Sequence, residues 1–268
     1  MKLRRWIQSG SILGLSLGPL FEAKWLCLPV LNCHSCPLAS FSCPIGVLGH
    51  YISIGLFPFF LLGTLLVFGA LAGRAFCGWA CPFGFLQELL HKIPGPKFEL
   101  WRPLRYGRYV VLVLLVMAVP AIWGIESPLY FCRLCPVAAF EAALPYAVTH
   151  GGFPSFWGAV IKFSIAGLVL VLAVFSLRIF CRVLCPIGAL TSLLNPISAF
   201  ALRQDTELCA QCGECARACP VGVDLHQETR PLAYKAPMDC ILCLDCTHAC
   251  PMSGGLRGSF AGMVRKRH

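Results

Sequence analysis

Four apolar runs dominate the first 198 residues, at 6–20, 47–72, 104–123 and 156–177, and polar, cysteine-bearing stretches separate them. Each reads as a helix crossing a hydrocarbon core of about 30 Å, the first run being at the short end of what suffices. No A-x-A-like cleavage site follows that first run, so it reads as a retained span rather than a secretory signal. Beyond residue 198 the apolar periodicity vanishes and cysteines arrive every three or four residues. The pattern predicts an all-α polytopic membrane domain over 1–198 and a small α+β domain over 199–268.

The membrane domain repeats itself. Arg74-Ala-Phe-Cys77-Gly-Trp-Ala-Cys81-Pro-Phe-Gly84 returns as Arg178-Ile-Phe-Cys181-Arg-Val-Leu-Cys185-Pro-Ile-Gly188, each time after an apolar run and before a short amphipathic segment. Between the copies, Pro94, Gly95, Pro96 and Pro103 break any helix. Two repeats of two spans each, 1–98 and 99–198, are expected to pack about a pseudo-two-fold axis along the membrane normal, with re-entrant loops.

Composition fits that picture, since 57% of residues are hydrophobic and only 13% are charged. The formal charge of +10 raises nucleic acid as a partner, and its placement removes it. Nineteen of the 22 Lys and Arg residues fall in the N-terminus, in 74–108 or from Arg178 onward; Lys24, Arg133 and Lys162 are the others. By the positive-inside rule both termini and the 73–107 loop are cytoplasmic.

Eighteen cysteines, seven of them followed by proline, carry the chemistry. Cys209-x-x-Cys212-x-x-Cys215-x-x-x-Cys219-Pro and Cys240-x-x-Cys243-x-x-Cys246-x-x-x-Cys250-Pro form the two-cluster ferredoxin pattern. In such motifs the fourth cysteine crosses over. Cys209, Cys212, Cys215 and Cys250 are expected to hold one [4Fe–4S] cluster, and Cys240, Cys243, Cys246 and Cys219 the other. A doubled four-cysteine run exceeds what tetrahedral zinc uses.

Within the membrane domain, an unbroken helix over 47–72 would hold Cys33 and Cys36 nearly 40 Å from Cys77 and Cys81. The ligands are therefore expected to pair across the two repeats. Cys77, Cys81, Cys181 and Cys185 make an inner site, with Arg74, Arg178 and Arg182 offsetting its negative charge. Cys33, Cys36, Cys132 and Cys135 make an outer one, where a redox dithiol is the alternative to a cluster. Cys27 and Cys43 have no counterparts in the second repeat and stand as alternate ligands, a disulfide or part of a partner protein's site. His34, His50 and His150 lie near the outer face as candidate proton carriers, and Lys162 is expected to snorkel to the outer interface. No C-x-x-C-H occurs, so c-type haem is not expected, and no nucleotide motif is present.

The paired R-x-F-C-x-x-x-C-P-x-G motif, four spans and C-terminal double-cluster domain resemble the NapH-type quinol dehydrogenases and the membrane cores of NosR-type and CcoG-type iron–sulfur proteins. That resemblance implies electron transfer in a bacterial or archaeal cytoplasmic membrane, as part of a complex, with redox partner proteins on both faces. Cys77, Cys81, Cys181 and Cys185 match the family's membrane cysteines. The outer cysteines go beyond the NapH pattern, which favours a conduit from the ferredoxin domain to an extracytoplasmic acceptor. Exchange with quinone is the alternative, and metal reduction for oxidase assembly ranks third, since only five Met are present to hold such an ion.

Overall fold

A computed structural model describes residues 2–16, 23–36, 38–98, 100–153, 155–205, 208–223, 225, 237–252, 254–260 and 263–264. Helix α1, Lys2–Leu15, places Arg4, Gln8 and Ser11 one turn apart on one face. That face is turned inward: Arg4 Nε and Gln8 Nε2 each donate to Gly78 O at 3.0 Å, and Ser11 Oγ donates to Ala80 O at 2.9 Å. Trp6 and Leu13 point outward, 77% and 70% exposed. A helix with polar residues inside and large apolar ones outside reverses the arrangement that water favours. The last part of the 6–20 run, residues 17–20, lies outside the described residues.

The second apolar run is not one helix. It divides into α2, Pro44–Ser53, and α3, Phe59–Ala72, with the break at 54–58. Gly55 adopts the left-handed conformation (φ 68°) and Pro58 brings no N–H to the helix ladder. This corrects the expected continuous span over 47–72 and removes the 40 Å gap that it implied, because α2 and α3 are separate helices joined by a turn.

The third run forms a helix over Arg102–Trp123 that passes through π-helical turns at Val111–Ala118, just before Pro120. A proline there leaves a carbonyl of the preceding turn without its N–H, and the wider turn absorbs the mismatch. The fourth run forms Phe156–Phe175, capped by Ser155, whose Oγ accepts from Gly158 N at 3.2 Å. Among the described residues, Arg102–Trp123 and Phe156–Phe175 are the two helices long and apolar enough to cross a membrane, and α3 is shorter. Where four spans are expected, the structure therefore gives two of spanning length.

Both R-x-F-C motifs fold alike. The first gives α4, Ala75–Trp79, then α5, Pro82–Leu90. The second gives Ile179–Val183 and Pro186–Leu194. Cys81 and Cys185 are extended N-caps with Pro at the first helical position, where a missing N–H costs nothing. Gly73, just ahead of the first motif, has φ 53°, and a Cβ there would sit 2.4 Å from Asn195 Oδ1. Only glycine fits that approach.

The C-terminal region is a three-stranded antiparallel sheet carrying two short helices, Glu214–Arg217 and Asp245–Ala249. Strand β1, Phe200–Gln204, pairs with β2, Leu256–Phe260, in the register Leu202↔Gly258, and β2 pairs with β3, Met263–Val264. Leu202, Ile241, Leu242 and Leu256 fill its core. It is fastened to the helical part by Arg4 on Asp245, Arg105 and Arg108 on Asp239, and Asn195 Nδ2 on Pro237 O and Cys240 O at 2.6 and 2.9 Å.

Candidate iron–sulfur centres

In the C-terminal domain, Cys209, Cys212, Cys215 and Cys250 line one cavity. Cys219, Cys240, Cys243 and Cys246 line a second, with Cys215 on the wall between. The structure thus brings together both of the expected ligand sets. The two motifs share an unusual backbone: Gln211 and Gly213 in one, Leu242 and Leu244 in the other, are left-handed. Alternating handedness turns successive N–H groups to the same side, forming a concavity suited to anionic sulfur. Leu242 N donates to Cys240 Sγ at 3.4 Å, Val223 N to Cys219 Sγ at 3.3 Å and Gln204 Nε2 to Cys209 Sγ at 3.2 Å. Burial pushes the Cys243 thiol up to about 12, so a bare thiolate is costly there and a cationic metal partner is favoured.

The inner four cysteines also converge, each thiolate lying within electrostatic reach of others from both motifs. Two arginines are exchanged across the site. Arg178 of the second motif, fully buried and left-handed at φ 52°, donates from Nη1 to Cys77 O at 2.7 Å and from Nε to Glu88 Oε1 at 2.8 Å. Its guanidinium lies beneath Gly84 of the first motif, where an added Cβ would be 3.3 Å away. Arg74 of the first motif lies in turn beneath Gly188 of the second, at 3.2 Å. Arg182, expected beside the same site, instead reaches Gly222 in the C-terminal domain. Gln87 was not singled out by the sequence. It is fully buried, donates from Nε2 to Cys181 Sγ at 3.3 Å and accepts from Phe180 N at 3.1 Å.

The outer cysteines surround a cavity of about 270 Å³ lined by Cys33, Cys43, Cys132 and Cys135. His34, His50 and Tyr130 are among its polar lining residues, with Asn32 and Ser35, and the Tyr130 hydroxyl hydrogen-bonds Cys132. Cys36 stands instead within reach of Glu141 and Lys24, and Cys27 is buried where its backbone bridges to Ser42. Glu141 accepts from Cys33 N, and burial raises its carboxyl to about 7. His150 is exposed and stacked on Tyr146 at 4.2 Å. Lys162, expected to snorkel to the outer interface, lies within electrostatic reach of Cys132.

These groups touch in series. Trp79 Nε1 donates to Leu242 O at 2.9 Å, and a Cβ on Gly78 would meet Ile241 O at 2.4 Å, so the inner motif is pressed onto the Cys240–Cys243 loop. Cys77 packs on the C-terminal core, whereas Cys81 and Cys185 belong to the helical core. Leu31 N donates to Cys81 Sγ, and Leu31 also lines the outer cavity two residues before Cys33. Cysteines ringed by N–H donors and enclosing open volume suit the [4Fe–4S] group in donor type and in number.

The comparisons with known proteins agree. A family model for a 4Fe-4S binding domain matches twice, at 54–100 and 159–203, and one for a 4Fe-4S dicluster domain matches 201–251. The uncharacterized protein MJ0750 of Methanocaldococcus jannaschii is 31% identical over 199 residues, covering 70% of this chain and 74% of that protein. YccM of Escherichia coli strain K12, which is named for electron transport, is 29% identical over 78% of this chain and 58% of its own length. The regulatory protein NosR of Pseudomonas aeruginosa is 29% identical over 78% of this chain, which spans only 27% of NosR. No solved structure matches. The chain belongs to the family of ferredoxin-type 4Fe-4S electron-transport proteins that includes NosR and YccM.

Proposed function

We propose that this is a membrane-integral protein that passes electrons between its cytoplasmic ferredoxin domain and an acceptor on the far side of the membrane. The observation that carries the reading is the unbroken series of contacts from the Cys209 cavity, through the Cys240 loop and the inner cysteines, to the outer cavity. Each [4Fe–4S] group, when bound, supplies a one-electron carrier whose potential follows burial and hydrogen bonds to sulfur. The protein's residues do the remainder. Cys77 bridges the two cores, Arg74 and Arg178 balance thiolate charge, and the apolar shell of Leu31, Ile45, Phe83, Phe180 and Ile187 excludes water.

The membrane reading rests on the inverted face of α1, on the outward apolar residues of the Arg102–Trp123 and Phe156–Phe175 helices, and on the basic asymmetry of the sequence. Four passes in two repeats, with the outer cysteines on re-entrant loops, is the topology we favour. One family model matching both halves, and the exchange of Arg74 and Arg178, support it. A second reading, oxidation of quinol, is favoured by the placement of His34, His50 and Tyr130 beside the outer cavity.

The test uses the full chain in sealed vesicles with a one-electron acceptor trapped inside and an impermeant reductant added outside. Wild-type protein is expected to reduce the trapped acceptor. Cys181→Ala is expected to abolish this and to lower the iron content by about four atoms, one cluster, while the ferredoxin clusters remain. No reduction by fully loaded wild-type protein would refute the conduit, and turnover of a soluble quinol analogue would install the second reading.

A further inference from the structure

We infer that the outer site is a four-thiolate iron–sulfur site made by Cys33, Cys43, Cys132 and Cys135, with Cys43 rather than Cys36 as its fourth ligand. The inference deepens the conduit reading and rests on it for the identity of the bound group.

Two observations carry it. The first is the cavity, whose wall contains those four sulfur-bearing residues. The second is a shared way of presenting sulfur. At the inner site, Cys81 and Cys185 are extended N-caps (φ −74° and −72°, ψ 115° and 110°) followed by Pro at the first helical position. Cys43 and Cys135 repeat that geometry, at φ −70° and −65°, ψ 125° and 124°, each again followed by Pro and a helix. In both, N–H groups of the first helical turn hydrogen-bond the sulfur: Ile45 and Gly46 for Cys43, Val137 and Ala138 for Cys135. The helix that starts at Cys43 abuts the other half of the chain, since a Cβ on Gly46 would lie 3.9 Å from Cys132 Sγ. Cys43 therefore faces the partner thiol that the site requires.

Cys36 shares the N–H donors, its sulfur accepting from Leu38 and Ala39, but among the described residues it opens no helix and it does not line the cavity. Its N–H is spent on Cys33 O at 3.0 Å, and Ala39 N closes on Cys36 O at 3.3 Å, which makes two tight turns and no helix. Each half then contributes two ligands, one of them from a Cys-Pro helix start, as at the inner site.

Iron analysis and electron paramagnetic resonance on the full chain, purified without oxygen, test the assignment. Wild type is expected to hold about 16 iron atoms, Cys43→Ser and Cys132→Ser about 12, and Cys36→Ser about 16. A loss in Cys36→Ser with full loading of Cys43→Ser would overturn the ligand choice. A wild-type count near 12 that neither Cys43→Ser nor Cys132→Ser lowers would overturn the site. Should Cys43→Ser fail to accumulate, Cys43→Asp keeps an anionic ligand and is expected to alter the resonance of one cluster only; unaltered spectra would refute the role of Cys43. Full loading without electron delivery across vesicles would refute the conduit and leave this site standing.

Discussion

Gln87 shows how one side chain ties a cluster ligand to the backbone around it. Its amide, on the helix that follows the first motif, bonds twice to the second, giving an N–H to Cys181 Sγ and accepting from Phe180 N, with no exposure to water. Replacing it by leucine keeps the volume and removes both bonds. The orphaned Phe180 N–H should cost about 1–3 kcal/mol, since a buried donor without a partner loses its full hydration. The lost N–H···S bond should also make the inner cluster's potential more negative, because such bonds favour the more highly charged reduced form. A redox titration of Gln87→Leu is expected to show one signal displaced downward and the ferredoxin signals unmoved. Equal displacement of all signals would point to general loosening.

At the level of elements, the ferredoxin domain and the first motif meet at Gly78, where any side chain would strike Ile241 O. Backbone cannot give way as a flexible side chain does, so Gly78→Ala should part the Trp79–Leu242 contact while leaving every cysteine in place. The expected result is a full iron count with slow reduction of the inner cluster in stopped-flow measurements; wild-type kinetics would show that the contact is unimportant. None of this interface was legible in the sequence, which shows Gly78 only as a position between two cysteines whose counterpart in the second motif is Arg182. The gathering of the ferredoxin cysteines around two cavities, with Cys219 and Cys250 exchanged, matches what their spacing predicts. The helix break at 54–58 was visible as Gly55 and Pro58 but was masked by Leu56 and Phe57, which keep hydropathy high where helical hydrogen bonds fail. Reading that stretch as one rod separated Cys33 from Cys81, whereas the folded chain passes Leu31 directly against the Cys81 sulfur. Cys43 carried the Cys-Pro-x-Gly signature of the inner site, yet the matching C-x-x-C spacings of Cys33 and Cys132 drew the assignment to Cys36.

Across the whole molecule, charge and docking select the same face. Arg4 near the start of the chain holds Asp245, and Arg105 and Arg108 at the head of the Arg102–Trp123 helix hold Asp239. The Phe156–Phe175 helix ends two residues before Leu177 and Arg178, on that same face, while its Ser155 cap lies at the opposite end. The N-terminal helix, the 102–108 segment and the ferredoxin domain are thus bound to one side by ion pairs, whichever way the protein inserts. On the proposed membrane reading, the positive-inside rule predicts the direction, because basic residues cluster on that side and only Lys24 and Arg133 lie in the two loops proposed for the other. An enzyme reporter that works only in the cytoplasm is expected to be active when fused after His268 and silent when inserted between Gly151 and Gly152. The converse pattern would invert the protein and place the ferredoxin domain outside. In that case the outer cavity would face the cytoplasm, and the acceptor proposed for the far side would have to be sought within the cell.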